Sequence, residues 1–273
     1  MRSAASVLDA DALAAAVARA RDGDAEAVDT VVRALQQDVF RLALRMTAHP
    51  EDAEDVTQEV LIKIVTRLAS FRGESSIRTW AYRITIRHLL DRKRSRVEAL
   101  ALTFDRFGAD LLDGLAAQPE PDPVLVEEIK RGCTLAMLTC LDRDHRLAFV
   151  LTDVFDLPQA EAADLCGVSE DALRQRLSRA RRVLEAFTRS YCGVVAADAP
   201  CQCNRRVAKA EAMGRLNRDN PALATWPAEQ VDRAVREMES LHDAAALMRS
   251  HPRYVAPSAV LSRVRRVWDL EPR

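Results

Sequence analysis

Glycine is scarce in this chain, and that scarcity most constrains what the chain can fold into. Only eight of the 273 residues are glycine, while hydrophobic residues make up 48% and charged residues 30%. Sandwiches and barrels need many turn residues, whereas Ala, Leu, Arg and Glu, which are abundant here, favour helices. The composition therefore predicts an all-α protein with enough apolar side chains to bury a core.

The chain shows no feature of a membrane or secreted protein. No uninterrupted apolar run approaches the roughly 20 residues that a membrane span needs. The N-terminal stretch is rich in Ala and carries Asp9, Asp11 and Arg19, unlike a secretory signal or a transit peptide. We therefore expect a soluble, cytoplasmic protein without a membrane partner. In that compartment the six cysteines are thiols or ligands rather than a disulfide framework.

Helical periodicity and composition divide the chain into segments. Two long helical stretches are separated by an acidic segment in which Pro119, Pro121 and Pro123 disfavour helix. The expected organisation is a lead-in (1–25), a first helical domain (26–97), an acidic linker (98–123), a second helical domain (124–190) and a helical C-terminal extension (191–273).

The first informative segment is an acidic helix that begins at Pro50. A proline followed by acidic residues suits a helix start, because the helix dipole favours negative charge there. One face is apolar, and Ile62 falls among polar residues on the other, so we expect it to be exposed. The pattern fits an ordinary amphipathic helix with a surface Ile. The alternative is an acidic docking helix whose apolar anchor meets a basic helical partner.

The second segment is basic and aromatic. Residues 72–96 contain eight basic and two acidic residues, and either Ser75 or Ser76 can cap a helix after the Gly73 turn. On a helical wheel Arg83, Arg87 and Arg94 lie together next to Trp80. Cations beside an aromatic ring are what a phosphate backbone and unstacked bases require. The alternative is a solvated basic face with Trp80 in the core.

The third segment predicts a helix-turn-helix. Pro158 starts a short helix, Gly167 ends it, and Ser169 caps the next helix. The second helix has one apolar face, and its opposite face would present Arg, Gln and Ser to a major groove. The alternative is a helical hairpin with a charged back.

Together these segments resemble the extracytoplasmic-function (ECF) group of RNA polymerase sigma factors. Residues 52–60 look like the polymerase-binding part of sigma region 2, and residues 71–91 look like its promoter-melting segment, including the signature Arg78-Thr79-Trp80. Residues 167–181 look like the helix-turn-helix of sigma region 4. Arg87 stands where the family usually has Asn, which implies altered recognition of the downstream promoter element.

The resemblance implies roles for individual residues. Contact with core RNA polymerase would be made by Glu54, Asp55, Gln58, Glu59 and Ile62. Contact with promoter DNA would be made by Arg72, Arg78, Thr79, Trp80, Arg83, Arg87 and Arg94 in region 2, and by Ser169, Asp171, Arg174, Gln175, Ser178, Arg179 and Arg182 in region 4.

The implied protein is an initiation factor and not an enzyme. It would bind core polymerase, recognise promoter elements and open the duplex, with the acidic linker following the nucleic-acid channel, and it would require no cofactor. No P-loop, G-x-S-x-G or H-E-x-x-H motif supports an enzyme. The alternative is a one-component helix-turn-helix regulator that acts without polymerase, which leaves the acidic helix without a role.

The C-terminal extension lies beyond what the resemblance covers. Cys192, Cys201 and Cys203 could bind zinc or another thiophilic metal, with His242, His251 or Cys133 as a fourth ligand. The alternatives are a redox switch and purely structural thiols. Helical patterns near 203–218, 228–249 and 257–268 carry apolar faces, among them Val231, Val235, Met238 and Leu241, then Leu261, Val264, Val267 and Trp268. We expect this extension to control activity, either by self-inhibition or alongside a separate anti-sigma factor.

Overall fold

The protein is all-α, as the composition predicts. The computed structural model describes residues 10–223, 244–249 and 255–267. In these ranges there is no β-strand, and the isolated bridge there pairs Cys192 with Cys201. None of the described helices combines the length and apolarity that a membrane span requires.

The chain folds into two compact units. Among the described residues, the first unit comprises those up to 44, 51–93 and those from 255, and the second comprises 45–50 and 94–249. The helices of the first unit are α1 (Ala10–Arg21), α2 (Ala25–Thr47, whose last turn belongs to the second unit), α3 (Pro50–Arg67), α4 (Ile77–Asp91) and α13 (Ser258–Val267). Those of the second are α5 (Arg96–Ala99), α6 (Phe104–Leu112), α7 (Pro123–Leu138), α8 (Arg143–Phe149), α9 (Gln159–Cys166), α10 (Glu170–Tyr191), α11 (Cys203–Ala212) and α12 (Ala244–Arg249).

Each unit is built around its own apolar helix faces. In the first unit the expected apolar face of α3 is buried at Val56, Val60, Leu61 and Ile64. In the second unit the expected apolar face of α10 is buried at Leu173, Leu177, Ala180 and Leu184. Burial of these side chains, at about 25 cal/mol per Å² of apolar surface, is what holds the helices in place.

The acidic stretch 98–123 is more ordered than a linker. Thr103 accepts a hydrogen bond from the backbone N–H of Arg106 (3.3 Å) and caps α6. Phe107 on α6 stacks on Phe187 of α10 with the ring centroids 5.6 Å apart. The helix ends at Leu112, well before the three prolines, so they do not prevent it.

Glu98 is a buried carboxylate that joins three parts of the second unit. It accepts two hydrogen bonds from Arg143 (3.0 and 2.8 Å), one from Arg146 (2.9 Å) and one from the backbone N–H of Ser95 (2.9 Å). Arg146 also donates to the carbonyl of Met46 at the end of α2. Burial alone would raise the pKa of Glu98, but these donors and positive charges outweigh it and lower the pKa to about 2.

Candidate polymerase and nucleic-acid interfaces

The five residues predicted to contact polymerase lie on α3, away from its buried face. Asp55 and Glu59 are exposed, and Glu54 and Gln58 are half-buried. Ile62 is also half-buried, whereas its position among polar residues predicted full exposure. The start of α3 is therefore an exposed acidic surface, but Ile62, its expected apolar anchor, is partly buried.

Glu59 belongs to a small polar chain that links α3 to α4. His88 is buried, with Nδ1 2.6 Å from Nζ of Lys63 and Nε2 3.5 Å from Oε2 of Glu59. Burial lowers the pKa of His88, and the positive charge of Lys63 lowers it further. A neutral His88 accepts a hydrogen bond from Nζ of Lys63 at Nδ1, which leaves the ring proton on Nε2, the nitrogen nearer to Glu59.

The start of α4 is fixed by a cap and an aromatic pair. Ser76 is the cap, and its Oγ accepts a hydrogen bond from the backbone N–H of Thr79 (3.0 Å). The half-buried ring of Trp80 packs against Phe71 with the centroids 5.5 Å apart. Arg78 is paired with Asp38 on α2, so part of its charge is engaged within the protein.

A basic groove of about 520 Å³ runs between α3 and α4. It is lined by Lys63, Arg67, Trp80, Arg83, Ile84, Arg87, His88 and Asp91. Sequence reasoning identified Trp80, Arg83 and Arg87, but it missed Lys63 and Arg67, which come from the end of the acidic helix. Their spacing of four residues, at the edge of the apolar face, was the available signal.

The basic stripe is shorter than the sequence predicted. Helix α4 ends at Asp91, where Arg92 adopts an extended conformation. Arg94 therefore does not share a helical face with Arg83 and Arg87, and its place in the stripe was wrong. Arg72 lies in the loop before α4, is largely exposed and approaches Glu74 at 3.9 Å.

Helices α9 and α10 form the expected helix-turn-helix. Gly167 ends α9 with φ of +66°, a left-handed conformation that suits glycine, and Oγ of Ser169 accepts the backbone N–H of Ala172 (3.2 Å). Asp171 does not stand free on this surface, because it pairs with Arg174. The remaining predicted contacts are exposed on one side of α10: Gln175, Ser178, Arg179 and Arg182.

The acidic stretch carries charges that the C-terminal extension neutralises. Asp110 pairs with Arg206 (3.1 Å) and Arg215 (2.7 Å), and Asp113 pairs with Lys209 (2.6 Å). Farther along, Glu120 pairs with Arg218 at 2.9 Å. These ion pairs attach α11 and the residues after it to a segment that the sequence predicted would enter a polymerase channel.

Four of the cysteines lie near one another in the second unit. Cys192 ends α10 and Cys203 begins α11, and the N–H of Gly193 donates to the carbonyl of Cys201 (2.9 Å). Cys133 on α7 is the fourth member, whereas His242 and His251 lie outside the described residues. Burial raises the pKa of all four thiols, that of Cys201 to about 11. All six cysteines are free, and within the described ranges no three His, Cys, Asp or Glu side chains are arranged to hold a metal ion.

Two family models match the chain. Sigma-70 region 2 matches residues 31–98, and Sigma-70 region 4 matches residues 131–184. They cover the acidic helix with the basic groove, and the helix-turn-helix, respectively. Both segments of the predicted resemblance are thereby confirmed.

Several curated proteins are similar over both regions. The ECF sigma factor SigC of Mycobacterium tuberculosis is 31% identical over 65% of this chain and 92% of its own length. The ECF sigma-E factor of Escherichia coli K12 is 30% identical over 62% of this chain and 90% of its own. SigE of Mycolicibacterium smegmatis is 30% identical over 63% of this chain and 65% of its own. Among solved structures, CnrH in complex with the cytosolic domain of CnrY is 25% identical, covers 66% of this chain and 97% of its own, and has a TM-score of 0.47.

This chain therefore belongs to the ECF group of RNA polymerase sigma factors. The one-component regulator is not favoured, because such a protein has no need of a region 2 domain.

Proposed function

We propose that this sigma factor binds core RNA polymerase through the exposed face of α3 and holds an opened promoter strand in the groove between α3 and α4. The groove carries the proposal, because it combines Lys63, Arg67, Arg83 and Arg87 with the ring of Trp80. A phosphate backbone needs cations that are close enough to follow it, and an unstacked base gains about 1–3 kcal/mol from an aromatic platform.

The upstream promoter element is assigned to α10. Its exposed side presents Arg174, Gln175 and Ser178, which can hydrogen-bond to base edges in a major groove. Arg179 and Arg182 lie on the same side and suit phosphate contacts. The pair between Arg174 and Asp171 holds the guanidinium near the start of the helix until a base replaces the carboxylate.

The protein contributes binding energy and strand separation, while RNA synthesis is the chemistry of the polymerase. Sigma factors need no cofactor. Zinc at Cys192, Cys201 and Cys203, with Cys133 as the candidate fourth ligand, remains a prediction from the sequence, since among the described residues no three such side chains are arranged to hold a metal ion. Metal analysis of the purified protein and of Cys203→Ser tests it. Zinc that is retained by the wild type and lost in the variant is expected if the prediction holds.

Promoter opening tests the groove assignment. Core polymerase with the full-length protein is mixed with a promoter that carries a fluorescent base analogue in the region to be opened. Arg83→Ala with Arg87→Ala should reduce the opened fraction, while Arg21→Ala, which removes an exposed cation from α1, should not. Equal opening by the double variant and the wild type would refute the groove assignment.

Polymerase docking is tested separately by charge reversal. Asp55→Lys with Glu59→Lys should weaken the complex with core polymerase, because both carboxylates are exposed on the proposed docking face. Circular dichroism should show unchanged helicity. Unchanged polymerase affinity in this double variant would remove α3 from the docking surface.

A further inference from the structure

The C-terminal helix α13 packs against the first unit. Val260 and Val264, one turn apart on α13, are fully buried, and Ala256 just before the helix is largely buried. The segment that enters the helix is attached to α2: the N–H of Ala256 donates to Oε1 of Gln37 (3.0 Å), and Nε2 of Gln36 donates to the carbonyl of Pro257 (3.3 Å). The helix is therefore a packed part of this unit.

Two arginines fix the position of α13 on the acidic surface. Arg265 makes a bidentate pair with Asp29 of α2, with distances of 2.7 and 2.9 Å. Arg263 donates from Nη1 to Oε1 of Gln58 on α3 at 3.2 Å. Gln58 is one of the five residues assigned to polymerase docking.

The effect of α13 extends to the neighbouring acidic residue. Glu54 is half-buried near the start of α3. Its burial raises the pKa of its carboxyl, and the positive charge of Arg263 opposes that shift. Helix α13 thus contacts Gln58 and acts electrostatically on Glu54, which lies one turn away on the same helix.

Helix α13 is basic and amphipathic, which is the kind of helix that an acidic docking face would bind. Its sequence, SAVLSRVRRV, contains three arginines and no acidic residue, and it has an apolar face. The sequence of α3 predicts a basic helical partner, and α13 is such a helix. A helix tethered in the same chain also competes at a high effective concentration against a partner in solution.

We propose that α13 is an internal competitor for the polymerase-docking surface of α3, so that the full-length protein binds core polymerase only when α13 has moved away. The proposal rests on the proposed function, because it needs Gln58 and its neighbours to contact polymerase. Both ligands need the Gln58 side chain, so they exclude each other. The affinity for polymerase is then reduced by the fraction of molecules in which α13 is docked.

A charge exchange in the full-length protein tests the proposal without altering the docking residues. Arg265→Glu breaks the pair with Asp29, and Asp29→Arg breaks it from the other side. Each should bind core polymerase about two- to fivefold more tightly than the wild type, which is the effect expected of one partly exposed bidentate pair. The double variant restores an opposite-charge pair and should return toward the affinity of the wild type. Arg266→Glu, an exposed position on the same helix, is the matched control and should have little effect.

Hydrogen exchange on α3 provides a readout that does not involve polymerase. Val264→Asp removes the apolar contact of α13 and should reduce the protection of amides in residues 54–62, while it increases polymerase affinity. Unchanged protection would show that α13 does not cover α3 and would overturn the proposal. Reduced protection with unchanged affinity would overturn the competition. A third outcome is that hydrogen-exchange protection of α3 changes but neither the wild type nor any variant binds polymerase. In that case α3 is not a polymerase-docking surface, and the proposed competition is refuted with it.

Discussion

Substitution of Glu98 tests how much its buried carboxylate stabilises the second unit. Its carboxylate is 8% exposed and is paired with Arg143 and Arg146. The pKa falls from the ordinary value of 4.5 to about 2. A depressed pKa means that the ionised form stabilises the fold above the unfolded pKa, and that this stability is lost as the pH falls through the folded pKa. At 1.36 kcal/mol per pKa unit, the ionised form contributes about 3 kcal/mol at pH 7.

The variant Glu98→Gln keeps the size of the side chain and removes its charge. Urea denaturation followed by circular dichroism should show a loss of about 3 kcal/mol at pH 7. At pH 3 the wild type retains only about 1 kcal/mol of the contribution, so the gap between the two proteins should narrow. Glu74→Gln, at an exposed loop position, is the control and should change little. A gap that is equal at both pH values would show that the charge of Glu98 is not what stabilises the unit.

Three further predictions concern single groups. Because the pKa of His88 lies below its ordinary 6.5, stability should fall as the pH drops from 7.5 to 5.5, and His88→Gln should reduce that fall in urea midpoints. Arg174→Ala should relax preference at one or two promoter positions by about 1–3 kcal/mol, whereas Arg182→Ala should weaken binding evenly across sequences, as measured with a set of mutated promoters. Cys133 and Cys203 should react slowly with a thiol reagent at pH 8, because burial keeps them protonated; rapid reaction of the folded protein would contradict this.

Local chemistry explains why the two sigma regions could be predicted from sequence. Gly167 and Ser169 specify a turn and a cap through their own backbone and side chain, so the helix-turn-helix needs no distant contact to be recognised. The acidic start of α3 is also a local property. Its apolar and polar faces follow from a period of 3.6 residues, and the buried positions match that period.

The errors and omissions arise from contacts between distant segments. Lys63 and Arg67 join the groove only because α3 and α4 pack together. Helix α6 forms where prolines suggested a linker, because Phe107 packs against Phe187, which is 80 positions away in the chain. The docking of α13 on α3 brings together Gln58 and Arg263, which are 205 residues apart. No local pattern encodes such a meeting.

The C-terminal extension is held in place by contacts with both units. Helix α12 belongs to the second unit, where Arg249 donates to the carbonyl of Asp153 (2.6 Å), while α13 belongs to the first. The same extension pairs with Asp110 and Asp113 of the acidic stretch. It therefore contacts Gln58, which we propose binds polymerase, and the stretch that the sequence assigned to the polymerase channel.

Run-off transcription with purified core polymerase tests whether this protein initiates transcription and whether α13 limits it. A promoter recognised by this factor is transcribed with core alone, with core and the full-length protein, and with core and the Val264→Asp variant. We expect a transcript of defined length only when the protein is present, and in larger amount with the variant. A protein that binds the promoter without polymerase and leaves transcription by core unchanged would contradict it.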